Sequence, residues 1–236
     1  MKSKRFIVLL SLIVLSCVTI TSYGDEPIGD FIVNGLLPSA ESGDAESQCI
    51  LGHIFSDQHN SYGIPNNDTL ARQWYLKAAK QGHPEAQNSF GMMYAEGRGG
   101  TQSYKLAREW WQKAAHQGHE GAQFNLGRMY GFGVGVSTDI PQAEKWFLRA
   151  AMQGFAQAQM HLGVLYFEGV QGVVPKNNFQ AYYWLNLAYA QRDDLPPKQW
   201  EVVRQSLDQL NRSLTSRQIS EAQTQIQRFK PKKENL

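Results

Sequence analysis

Cysteine is nearly missing from this chain. Of 236 residues two are cysteines, Cys17 and Cys49, too few for the disulfide framework that supports small secreted folds. An excess of charge of one sign is missing as well: 23 Lys and Arg face 21 Asp and Glu. Three of the cations, Lys2, Lys4 and Arg5, stand together at the N-terminus, and the remaining 20 are matched by the 21 acids. A near-neutral body lacks the electrostatic footprint that phosphate-backbone binding needs, so no nucleic-acid partner is expected. Beyond the first twenty residues no apolar run approaches the roughly twenty residues that cross a bilayer.

The local signatures of catalysis are missing too. No serine precedes a lysine by three positions, and neither G-x-S-x-G nor H-E-x-x-H occurs, which removes the common hydrolase motifs. The Gly97-Arg98-Gly99-Gly100 stretch lacks the lysine and serine of a phosphate loop. Glu96 and Glu168 recur near the ends of first helices, and a repeated position suits a solvated edge better than a unique pair of glycosidase carboxylates. Among six histidines, His116 and His119 are the closest pair. A zinc site wants three or four convergent ligands, so neither a metal nor another cofactor is expected.

What is present begins with the N-terminus. Lys2, Lys4 and Arg5 precede an apolar run over residues 6–14 that continues through small and hydroxyl residues to Ile20, the layout of a secretory signal. Ser22-Tyr23-Gly24 places small residues for cleavage before Asp25, leaving a periplasmic or secreted protein. The rival reading is Val14-Leu15-Ser16-Cys17, a lipobox-like tetrapeptide that would make Cys17 the lipid attachment point of an envelope protein. Cys49 reads as a small apolar residue packed on the N-terminal segment.

A phrase then repeats four times: Gly43-Asp44-Ala45-Glu46-Ser47-Gln48, Gly82-His83-Pro84-Glu85-Ala86-Gln87, Gly118-His119-Glu120-Gly121-Ala122-Gln123 and Gly154-Phe155-Ala156-Gln157-Ala158-Gln159. Each leads into Leu51-Gly52, Phe90-Gly91, Leu126-Gly127 or Leu162-Gly163, and then to Phe55, Tyr94, Tyr130 or Tyr166. A second phrase follows, with Ala71-x-x-Trp74, Ala107-x-x-Trp110, Ala143-x-x-Trp146 and Ala181-x-x-Trp184. Ala86, Phe90, Met93 and Tyr94 fall at i, i+4, i+7 and i+8, the stripe of an amphipathic helix. The partner helix sets a large indole, Trp110 included, between alanines small enough to let two helix axes come close. Glycine inside a helix costs about 1 kcal/mol relative to alanine, so its recurrence implies a close backbone approach. Gly82, Gly118 and Gly154 suit the left-handed turn after the second helix, and the recurring glutamines are expected to satisfy backbone groups of a neighbouring turn.

These phrases resemble the Sel-one-like repeat (SLR), a branch of the tetratricopeptide-repeat superfamily, over residues 43–191. The resemblance implies an all-α fold, a right-handed superhelical solenoid of antiparallel helix pairs with about four repeats plus capping helices. The first copy departs from the pattern at Ser47 and Gln58, and its inter-helix stretch, residues 57–68, is longer and polar. The remaining chain divides into a signal (1–24), an N-terminal cap (25–42), a C-terminal helical cap (192–229) and a basic, solvated tail (230–236). Trp200, Val203, Leu207 and Leu210 are expected to lie on the fourth repeat, with Thr215 or Ser216 capping the last helix.

The resemblance further implies a non-enzymatic adaptor that binds another protein on a concave face lined by the first helices. The alternative is a cell-envelope hydrolase or glycan binder, since some SLR relatives are described as β-lactam-hydrolysing. On a helical wheel the positions opposite the core stripe include Phe124, Arg128 and Phe132 in the third repeat and Met160, Val164 and Phe167 in the fourth. Five of these six are apolar and the other is arginine, a composition suited to a protein interface. His161, beside the core stripe, reads as packing rather than as a base.

Overall fold

The computed structural model describes residues 28–59 and 61–234. The export signal and Cys17 lie outside the described residues. Among the described residues eleven α-helices run in sequence: α1 Ile28–Glu41, α2 Ala45–Ser56, α3 Asp68–Lys80, α4 Pro84–Glu96, α5 Tyr104–His116, α6 Glu120–Phe132, α7 Ile140–Met152, α8 Ala156–Glu168, α9 Asn178–Tyr189, α10 Pro197–Ser213 and α11 Ser216–Arg228. Among the described residues there is no strand, only a β-bridge between Val170 and Val174. The four repeats are the pairs α2/α3, α4/α5, α6/α7 and α8/α9; each helix from α1 to α10 packs on its neighbours in the chain, and α11 packs on α9. This is the expected solenoid.

Local sequence explains where each helix starts and stops. Asp44, Asn67, Ser103, Asp139 and Asn177 accept an N–H of the first helical turn on their side chains, offsetting one of the donors that a helix start leaves unpaired. At the other end of α3, the Gly82 N–H reaches the Ala79 carbonyl and the His83 N–H the Ala78 carbonyl, a Schellman closure with Gly82 at φ +91°. Gly118 and Gly154 close α5 and α7 in the same way.

The glycine inside each first helix does mark a close approach, but the partner is not the periodic indole. It is the residue that follows. A Cβ built on Gly52, Gly91, Gly127 or Gly163 would lie 2.5–2.7 Å from Tyr75, Trp111, Phe147 or Leu185, respectively. The bare glycine face thus receives a large side chain from the second helix, which sets the distance within each pair. Trp74, Trp146 and Trp184 are buried as expected, whereas Trp110 is half-buried. It sits at the edge of the core, with its ring T-shaped on Phe90 at 5.3 Å and under the Lys113 ammonium at 4.0 Å.

Glutamines join one repeat to the next. Gln48, Gln87, Gln123 and Gln159 are buried, and each donates its amide to the backbone carbonyl eight residues earlier, at Ala40, Ala79, Ala115 and Ala151. Each amide oxygen accepts in turn from a second glutamine, Gln81, Gln117, Gln153 or Gln191. The amide therefore meets both its donor and acceptor demand inside the protein, as a buried polar group must. The second glutamine series also recurs in the sequence, in Gln81-Gly82, Gln117-Gly118 and Gln153-Gly154, and escaped the sequence reading.

The ends of the array are covered. Ile32, Val33, Leu36 and Leu37 of α1 pack on Leu51, Ile54 and Trp74. Cys49 is a buried free thiol and belongs to the core cluster that holds Ala71, Tyr75 and Phe90. Burial pushes that thiol well above its ordinary pKa, so it is held neutral. The irregular 57–68 stretch is tied down by Arg98, whose guanidinium donates to the Asp68 carboxylate and to the Ser56 carbonyl at 2.7 Å, while Ile64 enters the core. At the far end Val203, Leu207 and Leu210 of α10 are buried against α8 and α9, with Trp200 beside them. Thr215 caps α11 in a reciprocal capping box with Gln218.

Candidate partner-binding surface

The first helices α4 and α6 meet where the Asn125 side chain donates to the Asn88 side-chain oxygen at 3.0 Å. Between α4 and α6 lies a groove of about 330 Å³. Its floor is Trp111, Met129 and Tyr104, and its rims carry Met92, Glu96, Arg128, Phe132 and Val134. Trp111 is fixed there by its indole N–H, which donates to the Asn88 carbonyl at 3.2 Å, and Asn125 is held by the Asn88 side chain at 3.0 Å. The floor is therefore preorganised. Phe132 stands at the end of α6 with 61% of its surface exposed, and Met92 and Val134 are exposed beside it.

The structure divides the six residues singled out by the helical wheel. Arg128 is exposed and Phe132 more so, and both line the groove. Phe124 is half-buried in an aromatic cluster, 5.2 Å from the Phe155 ring, 5.4 Å from His161 and 5.9 Å from Phe147, with the Arg128 guanidinium 5.9 Å from its ring. Met160 is only 5% exposed, and Val164 and Phe167 are half-buried. These last three pack with Val203, Leu207 and Leu210 of α10, so the wheel position that faces a groove in the third repeat faces the C-terminal cap in the fourth. Their apolar character serves burial.

His161 belongs to the aromatic cluster around Phe124. Its ring stacks flat on Phe147 at 5.2 Å and lies 5.9 Å from Phe132. Burial, with the Arg128 charge added, pushes its pKa down to about 4, so at neutral pH it is an uncharged aromatic that buttresses Phe132. Sequence reasoning missed Met92, Glu96 and Val134. Met92 and Glu96 stand ten and fourteen positions after Gly82, so the same wheel applied to the second repeat finds them. Val134 lies on the turn after α6 and has no periodic signal.

The histidines of the repeat phrase lie at the other end of the first helices. His83 Nδ1 accepts the Ala86 N–H at 3.2 Å, and His119 Nδ1 accepts the Ala122 N–H at 3.1 Å. An Nδ1 that accepts leaves the proton on Nε2, which faces Glu46 from His83 and Glu85 from His119, each at 3.0 Å. Each histidine thus caps one repeat and grips the repeat before it. Burial would raise the Glu85 pKa, but the hydrogen bond from His119 and the nearby His53 and His83 outweigh it and hold the carboxyl at about 2. Among the described residues, no group of three or more His, Cys, Asp or Glu side chains is placed to hold a metal ion.

The family model for the Sel1 repeat matches four segments, residues 45–83, 84–119, 121–155 and 156–193. In structure the chain is similar to a protective antigen present in uropathogenic Escherichia coli strains that displays an SLR fold, at 32% identity and a TM-score of 0.71, over 84% of this chain and 40% of the other. It is also similar to a Sel1 repeat protein from Oxalobacter formigenes, at 35% identity and a TM-score of 0.62, over 67% of this chain and 45% of the other. The chain therefore spans less than half the length of each of these two proteins. An immunity protein from Pseudomonas aeruginosa, 20% identical with a TM-score of 0.50 over 79% of this chain and 76% of its own, shares the fold. No curated protein matches the chain.

Proposed function

Because this chain belongs to the Sel1-repeat family, we propose that it is an exported, non-enzymatic scaffold that binds another protein through the groove between α4 and α6. The observation that carries the reading is the exposed apolar cluster of Phe132, Met92 and Val134 around a groove with a fixed aromatic floor. Solvent-exposed apolar side chains grouped on a concavity are the anatomy of an interface, and aromatic and arginine residues contribute most to such contacts. Arg128 and Glu96 on opposite rims add charges of both signs that fix the orientation of a partner. The basic start and apolar run of residues 1–24 support export, with the mature chain beginning near Asp25, and no helix among the described residues is long and apolar enough to cross a membrane.

Capture from an envelope extract tests the binding surface. The mature chain retains its partner, while Phe132→Ser with Arg128→Glu loses at least tenfold of it with an unchanged circular dichroism spectrum and melting midpoint. Retention of the partner by that double variant removes the groove from consideration. Intact-mass measurement of the native protein tests export. A chain beginning at Met1 overturns it, and a fatty-acylated Cys17 replaces simple export with a lipid anchor.

A further inference from the structure

Residues 229–234 are docked on the repeats, and what docks them is a carboxylate. After α11 the Phe229 ring rests edge-on against Trp184 and Tyr183, and the chain then runs extended across the second-helix ends of repeats three and two. The Lys232 N–H donates to the Met152 carbonyl at 3.1 Å, and the Glu234 N–H donates to the Gln153 side-chain oxygen at 3.2 Å. Hydrogen bonds at every second residue are how an extended peptide is held. Pro231 lies on Gly154, and the Glu234 carbonyl fits against Gly118 where any side chain would collide. The sequence reading of residues 230–236 as a solvated basic end holds for the exposed Lys232 and Lys233 and fails for Glu234, which is half-buried.

The Glu234 carboxylate sits in a notch. Arg149 donates to both of its oxygens, from Nε at 3.1 Å to Oε1 and from Nη2 to Oε2, and Gln123 donates to Oε2 at 3.0 Å. The fork of the Arg149 guanidinium holds that carboxyl below the ordinary glutamate range. Arg149 is itself positioned over the Trp146 ring at 4.9 Å. At the equivalent positions of the first two repeats stand Lys77 and Lys113, over Trp74 and Trp110. A lysine offers a point charge and cannot form the two-pronged contact, so the notch at the third repeat is chemically distinct.

The notch does not depend on the tail for its shape. Gln123 is held by the Ala115 carbonyl and by Gln153 in the same way that Gln87 is held by Ala79 and Gln117, where no tail residue is bonded. Meanwhile the tail is held lightly. Between Phe229 and Glu234 its lysines are exposed, and the Arg149–Glu234 pair is itself partly exposed, so water competes for both charges. A preformed site with a lightly held occupant is one that another ligand of the same chemistry can enter.

We propose that the notch formed by Gln123, Arg149, Gln153 and the Gly118 backbone is a binding site for an extended partner peptide bearing a carboxylate side chain, with residues 229–234 as its resident pseudo-ligand. The site lies near the start of α6, whereas the groove at Phe132 lies nine residues further along the same helix, about 14 Å away. The two surfaces are separate, and this site stands or falls independently of the groove. A partner must displace the tail, whose tether gives it an effective concentration on the order of millimolar. The tail thereby sets a threshold for binding.

The test uses the full chain and a fluorescent peptide with the sequence of residues 228–236. The unaltered chain binds it weakly, because its own tail competes. Glu234→Gln frees the notch and raises the affinity at least tenfold. Adding Arg149→Lys to Glu234→Gln removes that gain while leaving the melting midpoint near that of Glu234→Gln alone, and Arg149→Met added to Glu234→Gln abolishes binding. A peptide with glutamine in place of its glutamate binds none of them. Equal binding by the unaltered and Glu234→Gln chains overturns the proposal, as does retained binding by either double variant or no binding at millimolar peptide by the Glu234→Gln chain.

Discussion

Gly127 of α6 and Phe147 of α7 approach so closely that a methyl group on Gly127 would lie 2.5 Å from the ring carbon Cδ1. Four residues along the same helix, a methyl on Gly131 would meet the Ala143 Cβ at 3.4 Å and the Phe147 Cε2 at 3.9 Å, both ordinary contacts. Gly127→Ala is therefore expected to destabilise the protein by about 1–3 kcal/mol through overpacking. Gly131→Ala is expected to stabilise it by about 0.5–1 kcal/mol through helix propensity. Urea unfolding of the two variants separates the outcomes, and equal effects would mean that Gly127 is not a contact glycine.

The adjacent tryptophans of α5 should differ in cost. Trp111 is buried on Gly91 and donates to the Asn88 carbonyl, so Trp111→Ala is expected to lose about 3–5 kcal/mol. Trp110 is half-buried and should lose clearly less. Denaturant midpoints of the two variants decide it, and a larger loss at Trp110 would reverse the assignment of the pair contact.

Gln87 links two repeats through Ala79 and Gln117. Gln87→Met removes both of these hydrogen bonds, leaving the Ala79 carbonyl with the Gly82 N–H alone, and is expected to cost about 1–3 kcal/mol. Because Gln117→Met removes the other half of the same bond, the double variant should lose less than the two single losses added together. Full additivity in a double-mutant cycle would show that the amides are not coupled.

His161 ties stability to pH. Its pKa falls from 6.5 to about 4 on folding, so between those values the unfolded chain binds the proton and the folded chain does not. Stability is complete above about pH 6.5 and falls as the pH drops toward 4, by up to about 3 kcal/mol. His161→Gln removes this contribution. The urea midpoint of the unaltered chain should therefore decline more steeply from pH 7 to pH 4.5 than that of the variant, and parallel declines would mean that His161 titrates normally when folded.

By itself the sequence determined the repeat. Four recurrences of Gly-x-x-x-Ala/Ser-Gln, of the Leu/Phe-Gly pair and of Ala-x-x-Trp fix helix starts, core stripes and the need to stack, because a lone hairpin has apolar faces that nothing covers. It also marked the buried glutamines, since a polar residue repeated beside a core stripe must find partners inside. Only the tertiary structure decided which large side chain meets each glycine, because Trp110 and Trp111 are neighbours in sequence and differ only in how the two helices are rotated against each other. It also decided which apolar positions stay open. Phe132 and Phe167 hold nearly the same place in the repeat, yet the cap formed by α10 covers the fourth repeat and not the third. The docking of Glu234 on Arg149 joins residues 85 positions apart, and no local pattern carries a contact of that range.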